Sequence, residues 1–249
     1  MSGMIERAGY DFIPGPFQYS AGVAARPGFV IERVRFARPV PLADGFARIE
    51  AFLKAQLQPL AAFCACELRS PAPFTDAGFI AFNRDYVGTL ERWGIVAGDV
   101  NPVARSNVCP EIAPPPAPCF HAFCYVRPAV DSARSFVVAG SGEAREGAGT
   151  YREKTIRYGE TSPGAIVEKA RFVVGQMERR MAAMDVGWSA TAVTQVYTVH
   201  DFHAVMGPDI VARGAALDGV AWHFCRPPVL GLEFEMDCRA VHRERVLPV

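Results

Sequence analysis

The chain has 249 residues, of which 50% are hydrophobic and 21% are charged, so it can bury a sizeable core and is not intrinsically disordered. Its 26 basic and 26 acidic residues balance without a basic block, which excludes the charge distribution of a nucleic-acid-binding protein. Residues 1–20 lack a continuous apolar segment and no apolar run reaches the ~18 residues of a membrane span, so we expect a cytoplasmic protein with no membrane partner.

The first half of the chain predicts a unit of strands and amphipathic helices. In two segments apolar residues recur at the spacing of one helical face, where Asp44 and Thr75 are placed to begin helices and Pro59 ends the first. The predicted elements, in chain order, are a strand pair at 29–31 and 34–36, a helix at 44–57, a strand at 61–68, a helix at 75–90, a loop at 94–105, a proline-rich loop at 110–118 between paired strands, and a closing strand at 120–126.

The second half of the chain repeats this order, beginning with a strand at 135–139. Ser162 and Pro163 are typical of a helix start, an apolar stripe follows, and Gly187 is expected to end this helix. β-Branched residues predict a strand at 191–199, after which Asp201 can cap another helix. At 232–237 apolar and acidic residues alternate, which indicates a strand with one buried face and one solvent-facing side.

The repeated order predicts an α+β chain of two tandem units, residues 1–130 and 131–249, each a sheet backed by helices on one face. The other face of each sheet must be covered, which predicts a homo-oligomer. The two copies differ where the last loop begins, since residues 102–106 (PVARS) contain Arg105 and residues 219–223 (GVAWH) contain Trp222 instead. We therefore expect the two halves to be functionally specialised.

The cysteines and histidines do not indicate a metal centre. Seven cysteines are an odd number without zinc-type CxxC pairs, which predicts buried, reduced thiols. His200 and His203 supply only two local ligands, and no acidic residue is spaced to complete a site. We expect no metal, and a capping role for Asp201.

Three short motifs, together with the order of the elements, resemble the reactive intermediate deaminase (Rid, or YjgF) superfamily. They are residues 13–20 (IPGPFQYS), 102–106 (PVARS) and 231–235 (GLEFE). The resemblance implies a chorismate-mutase-like fold for each unit and a homotrimer with active sites in clefts between units. Among tandem members, the length resembles the 2-aminomuconate and 2-amino-5-chloromuconate deaminases more than the chorismatases. This implies hydrolytic deamination of a conjugated enamine or imine carboxylate without a cofactor, giving ammonia and a 2-oxo acid.

The resemblance also implies roles for residues at the matching positions. Arg105 would hold a substrate carboxylate in a bidentate pair, and Ser106 would add a hydrogen-bond donor. Glu233 would move protons between water and substrate, with Glu143 as the alternative carboxylate. Arg105 and Glu233 belong to different halves, so whether they face one cavity decides whether they form one site. The other expected substrate-binding residues are Phe17, Tyr19, His121 and His223.

Two other functions stay open on the sequence. A chorismatase-like enzyme acting on an enol-ether dicarboxylate would need the same arginine and glutamate. A non-catalytic, ligand-binding member of the superfamily fits the replacement of the arginine by Trp222 in the second copy. Pyruvate release from chorismate would identify the first, and absence of ammonia release from aminomuconates and 2-aminoacrylate would identify the second.

Overall fold

The computed structural model describes residues 5–7, 9–130 and 133–249, which form two β-sheets and several helices. In chain order the strands are β1 (Ile5–Glu6), β2 (Tyr10–Ile13), β3 (Gly22–Ala25), β4 (Phe29–Pro41), β5 (Phe63–Arg69), β6 (Ala104–Pro110), β7 (Cys119–Pro128), β8 (Phe136–Gly142), β9 (Val193–Tyr197), β10 (Val220–His223), β11 (Cys225–Arg226), β12 (Glu235–Ala240) and β13 (Glu244–Leu247). The α-helices are α1 (Leu42–Ala55), α2 (Asp76–Arg92), α3 (Tyr151–Lys154), α4 (Pro163–Ala183) and α5 (His203–Val205). The predicted α+β class is confirmed.

The two sheets contain the same arrangement of four strands. The first sheet has the order β11-β6-β5-β7-β4-β13, and the second has the order β1-β2-β3-β8-β12-β9-β10. The runs β6-β5-β7-β4 and β10-β9-β12-β8 correspond, because each begins with a parallel pair and continues with two antiparallel pairs. The repeated order of elements along the sequence therefore has a counterpart in a repeated strand order.

The two ends of the chain cross between the sheets. The N-terminal strand β3 pairs with β8 and so extends the second sheet, whereas β13, near the C-terminus, pairs in parallel with β4 of the first. β11 also leaves the second half of the chain and pairs with β6. Each sheet thus contains strands from both halves of the sequence, and the sheets do not coincide with a division of the chain at residue 130.

The helices pack on the sheets through the apolar faces that the sequence predicts. Thr75 begins α2 by accepting a hydrogen bond from the backbone nitrogen of Gly78, and Ser162 does the same for α4 through Ala165. The apolar face of α2 is buried in one core with the first sheet. The predicted stripe of α4 is buried in a second core with β8 and β12, which confirms both helices.

Several predicted boundaries are wrong because strand pairing overrides local sequence signals. β4 is one strand of 13 residues rather than a strand pair, and Arg105 lies on β6, in parallel pairing with β5, rather than in a loop. The loop at 110–118 joins β6 to β7, but these strands flank β5 and do not pair with each other. Asp44 lies inside the first turn of α1 and does not cap it, and α4 ends at Ala183 rather than near Gly187.

The inner faces of the two sheets cover each other through a buried polar layer. Ser106 of the first sheet donates a hydrogen bond to Asp237 of the second at 2.5 Å. Arg33 lies 2.6 Å from Glu67 on the first sheet, and Arg239 of the second lies 3.6 Å from the same carboxylate. Every residue of β12 is buried, so the predicted solvent-facing side of this strand is wrong. Because the open faces are covered within one chain, the argument for a homo-oligomer from exposed sheets fails, and the trimer remains a prediction.

The structure tests the predictions for the cysteines and for Asp201. All seven cysteines are buried and unpaired, as predicted. Asp201 accepts a hydrogen bond from the backbone nitrogen of His203 at 2.9 Å, but the N-cap of α5 is Phe202, so the predicted position of the cap is wrong. Within the described ranges, no group of three or more side chains is arranged to hold a metal ion, and no helix has the length and apolar character needed to cross a membrane.

Candidate active site

A cavity of about 590 Å³ lies where the two sheets meet. One side of it is formed by the N-terminal segment at 14–21, α2 and β6, and the other by β8 with the loop after it, α4 and β12. The N-terminal segment is fixed at this junction because Ser20 bridges to Ala104, and its backbone nitrogen donates to the carbonyl oxygen of Val103 at 2.9 Å. A cavity of this size accommodates a small organic substrate.

Arg105 lines this cavity and is 3% exposed. Its guanidinium lies over four aromatic rings, and the distances from Cζ to the ring centroids are 4.9 Å for Tyr86, 5.5 Å for Tyr19, 5.6 Å for Phe82 and 5.8 Å for Phe79. Nη1 is buried and has no hydrogen-bond partner. A buried cation without such a partner is costly, and a carboxylate entering the cavity would supply the missing interaction.

Glu235 faces the same cavity from β12 and is 4% exposed. Burial raises the pKa of its carboxyl group well above the usual range, Asp237 adds to this effect, and Arg105 and Arg180 oppose it. Gly140 on β8 leaves the space that the group occupies, because a Cβ at this position would collide with Oε1 of Glu235. The raised pKa favours the neutral acid, which is the form that can donate a proton.

Glu233, the carboxylate predicted from the sequence, is not among the residues that line the cavity. One of its oxygens lies 2.7 Å from Nε2 of His200 and 3.6 Å from Nη1 of Arg226. The alternation of acids along this segment is real, but regular pairing begins only at Glu235. The structure therefore brings Glu235, and not Glu233, into one cavity with Arg105.

Glu143, the alternative carboxylate, holds the segment before β12 in place. Its two oxygens accept hydrogen bonds from the backbone nitrogens of Glu233 and Phe234 at 2.7 and 3.1 Å. It is fully buried and lies 3.0 Å from Nζ of Lys169. Burial raises the pKa of Glu143, and Lys169 opposes that effect. These contacts give Glu143 a structural role, because they hold the backbone at Glu233 and Phe234.

Of the other residues predicted near the N-terminus and on β6, Tyr19 is at the cavity and two are not. Tyr19 lines the cavity beside Arg105. Phe17 packs against the core of the first sheet, and its carbonyl oxygen accepts a hydrogen bond from Asn101 at 3.1 Å. The hydroxyl of Ser106 donates a hydrogen bond to Asp237 in the polar layer between the sheets, so it does not face a ligand in the cavity.

The two predicted histidines lie away from the cavity. Burial lowers the pKa of His121 to about 3. His223 stacks on Tyr197 with ring centroids 5.0 Å apart, its Nε2 lies 3.1 Å from Gln195 Oε1, and burial lowers its pKa. Trp222, at the position that corresponds to the arginine, is 45% exposed. None of these three side chains lines the cavity, so the structure does not unite them with Arg105.

Sequence reasoning missed Arg180, which lines the cavity from α4. The signal was present, because Arg180 follows Val173 by seven positions and Met177 by three, which places a charged residue on the buried stripe of the helix. Long charged side chains on such a stripe are buried only when a partner or a site requires them. Four charged residues that were also not predicted line the cavity: Asp76, Arg145, Glu146 and Lys154.

Comparisons with known proteins identify the family. The model of the family described as 2-aminomuconate deaminase CnbZ matches residues 4–245. A 2-amino-5-chloromuconate deaminase from Comamonas testosteroni is 50% identical over 241 residues, which are 96% of this chain and 96% of the relative.

Two solved structures are also similar. A chorismatase shares 10% identity with a TM-score of 0.41, over 95% of this chain and 78% of its own. A cyanuric acid hydrolase shares 13% identity with a TM-score of 0.39, over 85% and 67%. The family matches support the aminomuconate deaminase resemblance, whereas membership of the wider Rid superfamily remains a prediction. The chain belongs to the 2-aminomuconate deaminase CnbZ family.

Proposed function

We propose that the protein hydrolytically removes the amino group of a conjugated enamine dicarboxylate, 2-aminomuconate or 2-amino-5-chloromuconate, and releases ammonia and a 2-oxo acid. The observation that carries this proposal is the buried Arg105 guanidinium, whose Nη1 has no hydrogen-bond partner, in one cavity with Glu235. A substrate carboxylate would pair with the arginine, and a raised pKa suits the glutamate to proton donation. Membership of the family supports the substrate class.

In the proposed mechanism Glu235 acts first as an acid and then as a base. The neutral acid gives its proton to a carbon of the conjugated chain, C3 or C5, and the enamine becomes a 2-iminium ion. Glu235, now a carboxylate, takes a proton from water as the water oxygen bonds to C2, which forms a carbinolamine. The same proton passes to nitrogen, the C2–N bond breaks, and the hydroxyl proton returns to Glu235 as the C2 carbonyl forms. One water is consumed, one ammonia leaves and no electrons are transferred, so the chemistry requires no redox cofactor.

Arg105 would hold the carboxylate at C1, next to the carbon that reacts. A bidentate pair fixes the plane of this carboxylate and draws electron density from C2, which favours attack by water. Tyr19 and Tyr151, which line the cavity, would pack against the planar conjugated chain. Confining the diene in this way reduces its freedom before the chemical step.

A matched pair of amide variants tests which acid takes part. Glu235→Gln should lower kcat for ammonia release from 2-aminomuconate by about 10²- to 10⁴-fold, the usual range for loss of a general acid. Glu233→Gln, two residues away and outside the cavity, should change kcat by less than about threefold. Full activity of Glu235→Gln with loss in Glu233→Gln would refute the assignment. Pyruvate release from chorismate, without ammonia release from aminomuconates, would favour the chorismatase-like alternative.

We also propose that the chain is a tandem of two Rid-type units, residues 1–130 and 131–249, that assembles as a cytoplasmic homotrimer. The common strand order of the two sheets supports a duplication. Light scattering in solution should then give a mass of three chains of 27.1 kDa. A monomeric mass would contradict the trimer and leave the duplication untouched.

A further inference from the structure

A second arginine of the cavity, Arg180, presents one edge of its guanidinium to a ligand. The residue is 5% exposed, and its Nη1 donates to the carbonyl oxygens of Ala139 at 2.9 Å and Gly140 at 3.3 Å, which fixes its orientation. Nε is buried without a hydrogen-bond partner, and Nη2 lies 3.5 Å from Glu146. Nε and Nη2 together are an edge with which arginine can bind a carboxylate through two hydrogen bonds.

Glu146 interacts only weakly with the Nε and Nη2 edge of the Arg180 guanidinium. Its side chain is 57% exposed on the loop that follows β8, and its carboxylate lies closer to Arg179, at 2.9 Å, than to Arg180. Ion pairs at exposed positions contribute about 0–1 kcal/mol. A ligand carboxylate that makes two hydrogen bonds to the buried guanidinium would therefore displace Glu146.

The charge of the cavity fits a dianion. Besides Glu235, the acidic residues of its lining are Asp76 and Glu146, and the basic residues are Arg105, Arg145, Lys154 and Arg180. With Glu235 in its neutral form, the lining has a net charge of +2. A substrate with two carboxylates would neutralise this charge, whereas a monocarboxylate would leave half of it uncompensated.

Gly140 is close to Arg180, to Glu235 and to the strand that carries Arg105. Its carbonyl oxygen accepts a hydrogen bond from Arg180, while a Cβ at this position would lie 2.3 Å from Oε1 of Glu235 and 3.2 Å from Cα of Ser106, the neighbour of Arg105. A dicarboxylate bound across Gly140 would have one end at each arginine, and its middle carbons, where a proton must be added, beside Glu235. We propose that Arg180 binds the second carboxylate of the substrate, so that the site selects dicarboxylates over monocarboxylates. This inference rests on the proposed function for the assignment of Arg105 to the first carboxylate.

Two stable dienes test the inference by calorimetry, without turnover. Muconate has two carboxylates, and sorbate has the same six-carbon diene with a methyl group in place of one of them. The parent protein should bind muconate at least about tenfold more tightly than sorbate, a difference of about 1.4 kcal/mol. Arg180→Gln should remove this preference by weakening the binding of muconate alone, and Arg105→Gln should weaken the binding of both ligands. Arg171→Gln, an exposed site on the same helix, should change neither affinity.

Two further variants separate a binding role from a structural one. Arg180→Lys keeps the charge and should retain part of the preference for muconate. Glu146→Gln removes the competing carboxylate and should strengthen muconate binding about two- to fivefold, since a surface ion pair no longer has to break. Equal binding of muconate and sorbate by the parent protein, or equal weakening of both by Arg180→Gln in a protein that melts normally, would overturn the inference.

The proposed function and this inference can fail separately. A preference for muconate that depends on Arg180, in a protein that releases no ammonia from aminomuconates, would refute the deamination and keep the second carboxylate site. Ammonia release in a protein that does not distinguish muconate from sorbate would keep the deamination and refute the second carboxylate site.

Discussion

Replacing Arg105 by methionine should leave the protein folded while it loses activity. The buried cation costs several kcal/mol of desolvation. Four aromatic rings lie within 4.9–5.8 Å of its guanidinium and offset about 0.5–1 kcal/mol each, or about 2–4 kcal/mol together. Methionine has a similar shape and packs well against aromatic rings. The free energy of unfolding should therefore stay unchanged or rise by about 1–2 kcal/mol, which for a chain of this length is up to about 6 °C in Tm.

Calorimetric melting and steady-state ammonia release measure the two effects on the same sample. The loss of a charge-assisted carboxylate pair should lower kcat/KM by about 2–5 kcal/mol, or roughly 30-fold to several thousand-fold. Arg33→Met is the matched control, since Arg33 is also 3% exposed but is paired with Glu67 at 2.6 Å. Removing the Arg33 guanidinium deprives the buried Glu67 carboxylate of this partner, which should destabilise the fold by about 3–5 kcal/mol. A fall in Tm of more than about 6 °C for Arg105→Met, or unchanged kcat/KM, would refute the reasoning.

Three further predictions concern Glu235 and its surroundings. Gly140→Ala should lower kcat about tenfold or more, because the new Cβ displaces the Glu235 carboxyl group. The control is Gly175→Ala, in open space on α4. It should leave kcat unchanged and stabilise the fold by about 0.5–1 kcal/mol in urea denaturation. In pH profiles, kcat/KM should fall as pH rises through the raised pKa of Glu235, since the proton donor is the neutral acid, and Glu235→Gln should abolish this limb. The raised pKa of Glu235 contributes stability that is present below pH 4.5 and is lost as pH rises through the folded-state pKa. Glu235→Gln should therefore be more stable than the parent protein at pH 8, and the two should be equally stable below pH 4.5. Equal urea midpoints at pH 8 would contradict this last expectation.

Local signals predicted the helices well because their physical causes are local. The cap at Thr75 needs only the backbone nitrogen of Gly78, and the stripe of α4 depends on spacing alone. The acid at the site could not be found in this way. An alternation with a period of two predicts that Glu233 and Glu235 lie on the same side of the chain. It does not predict the residue at which regular strand pairing begins. That point is decided by Glu143, about 90 residues earlier in the chain.

The candidate site was predicted in part, because Arg105 and Glu235 lie in two of the three motifs, but the motifs do not show which glutamate enters the cavity. Arg105 was found through residues 102–106, but its aromatic surroundings come from α2 and the N-terminal segment. Arg180 is a charged residue on a long helix, and only its burial distinguishes it from the exposed arginine beside it. Burial of this kind arises where two sheets meet, and no single segment of the chain specifies that junction.

The crossing of the chain ends has a consequence for how the protein folds during synthesis. The outer strand β13 of the first sheet pairs with β4 more than 200 residues after β4 has left the ribosome. Until then β4 has an unpaired edge, which invites association with other nascent chains. Expression of residues 1–130 alone should therefore give aggregates, whereas co-expression of the two halves could restore both sheet edges. Because each half supplies a strand to the sheet of the other, neither half can complete its own sheet alone, and the crossing makes the two halves depend on each other to fold.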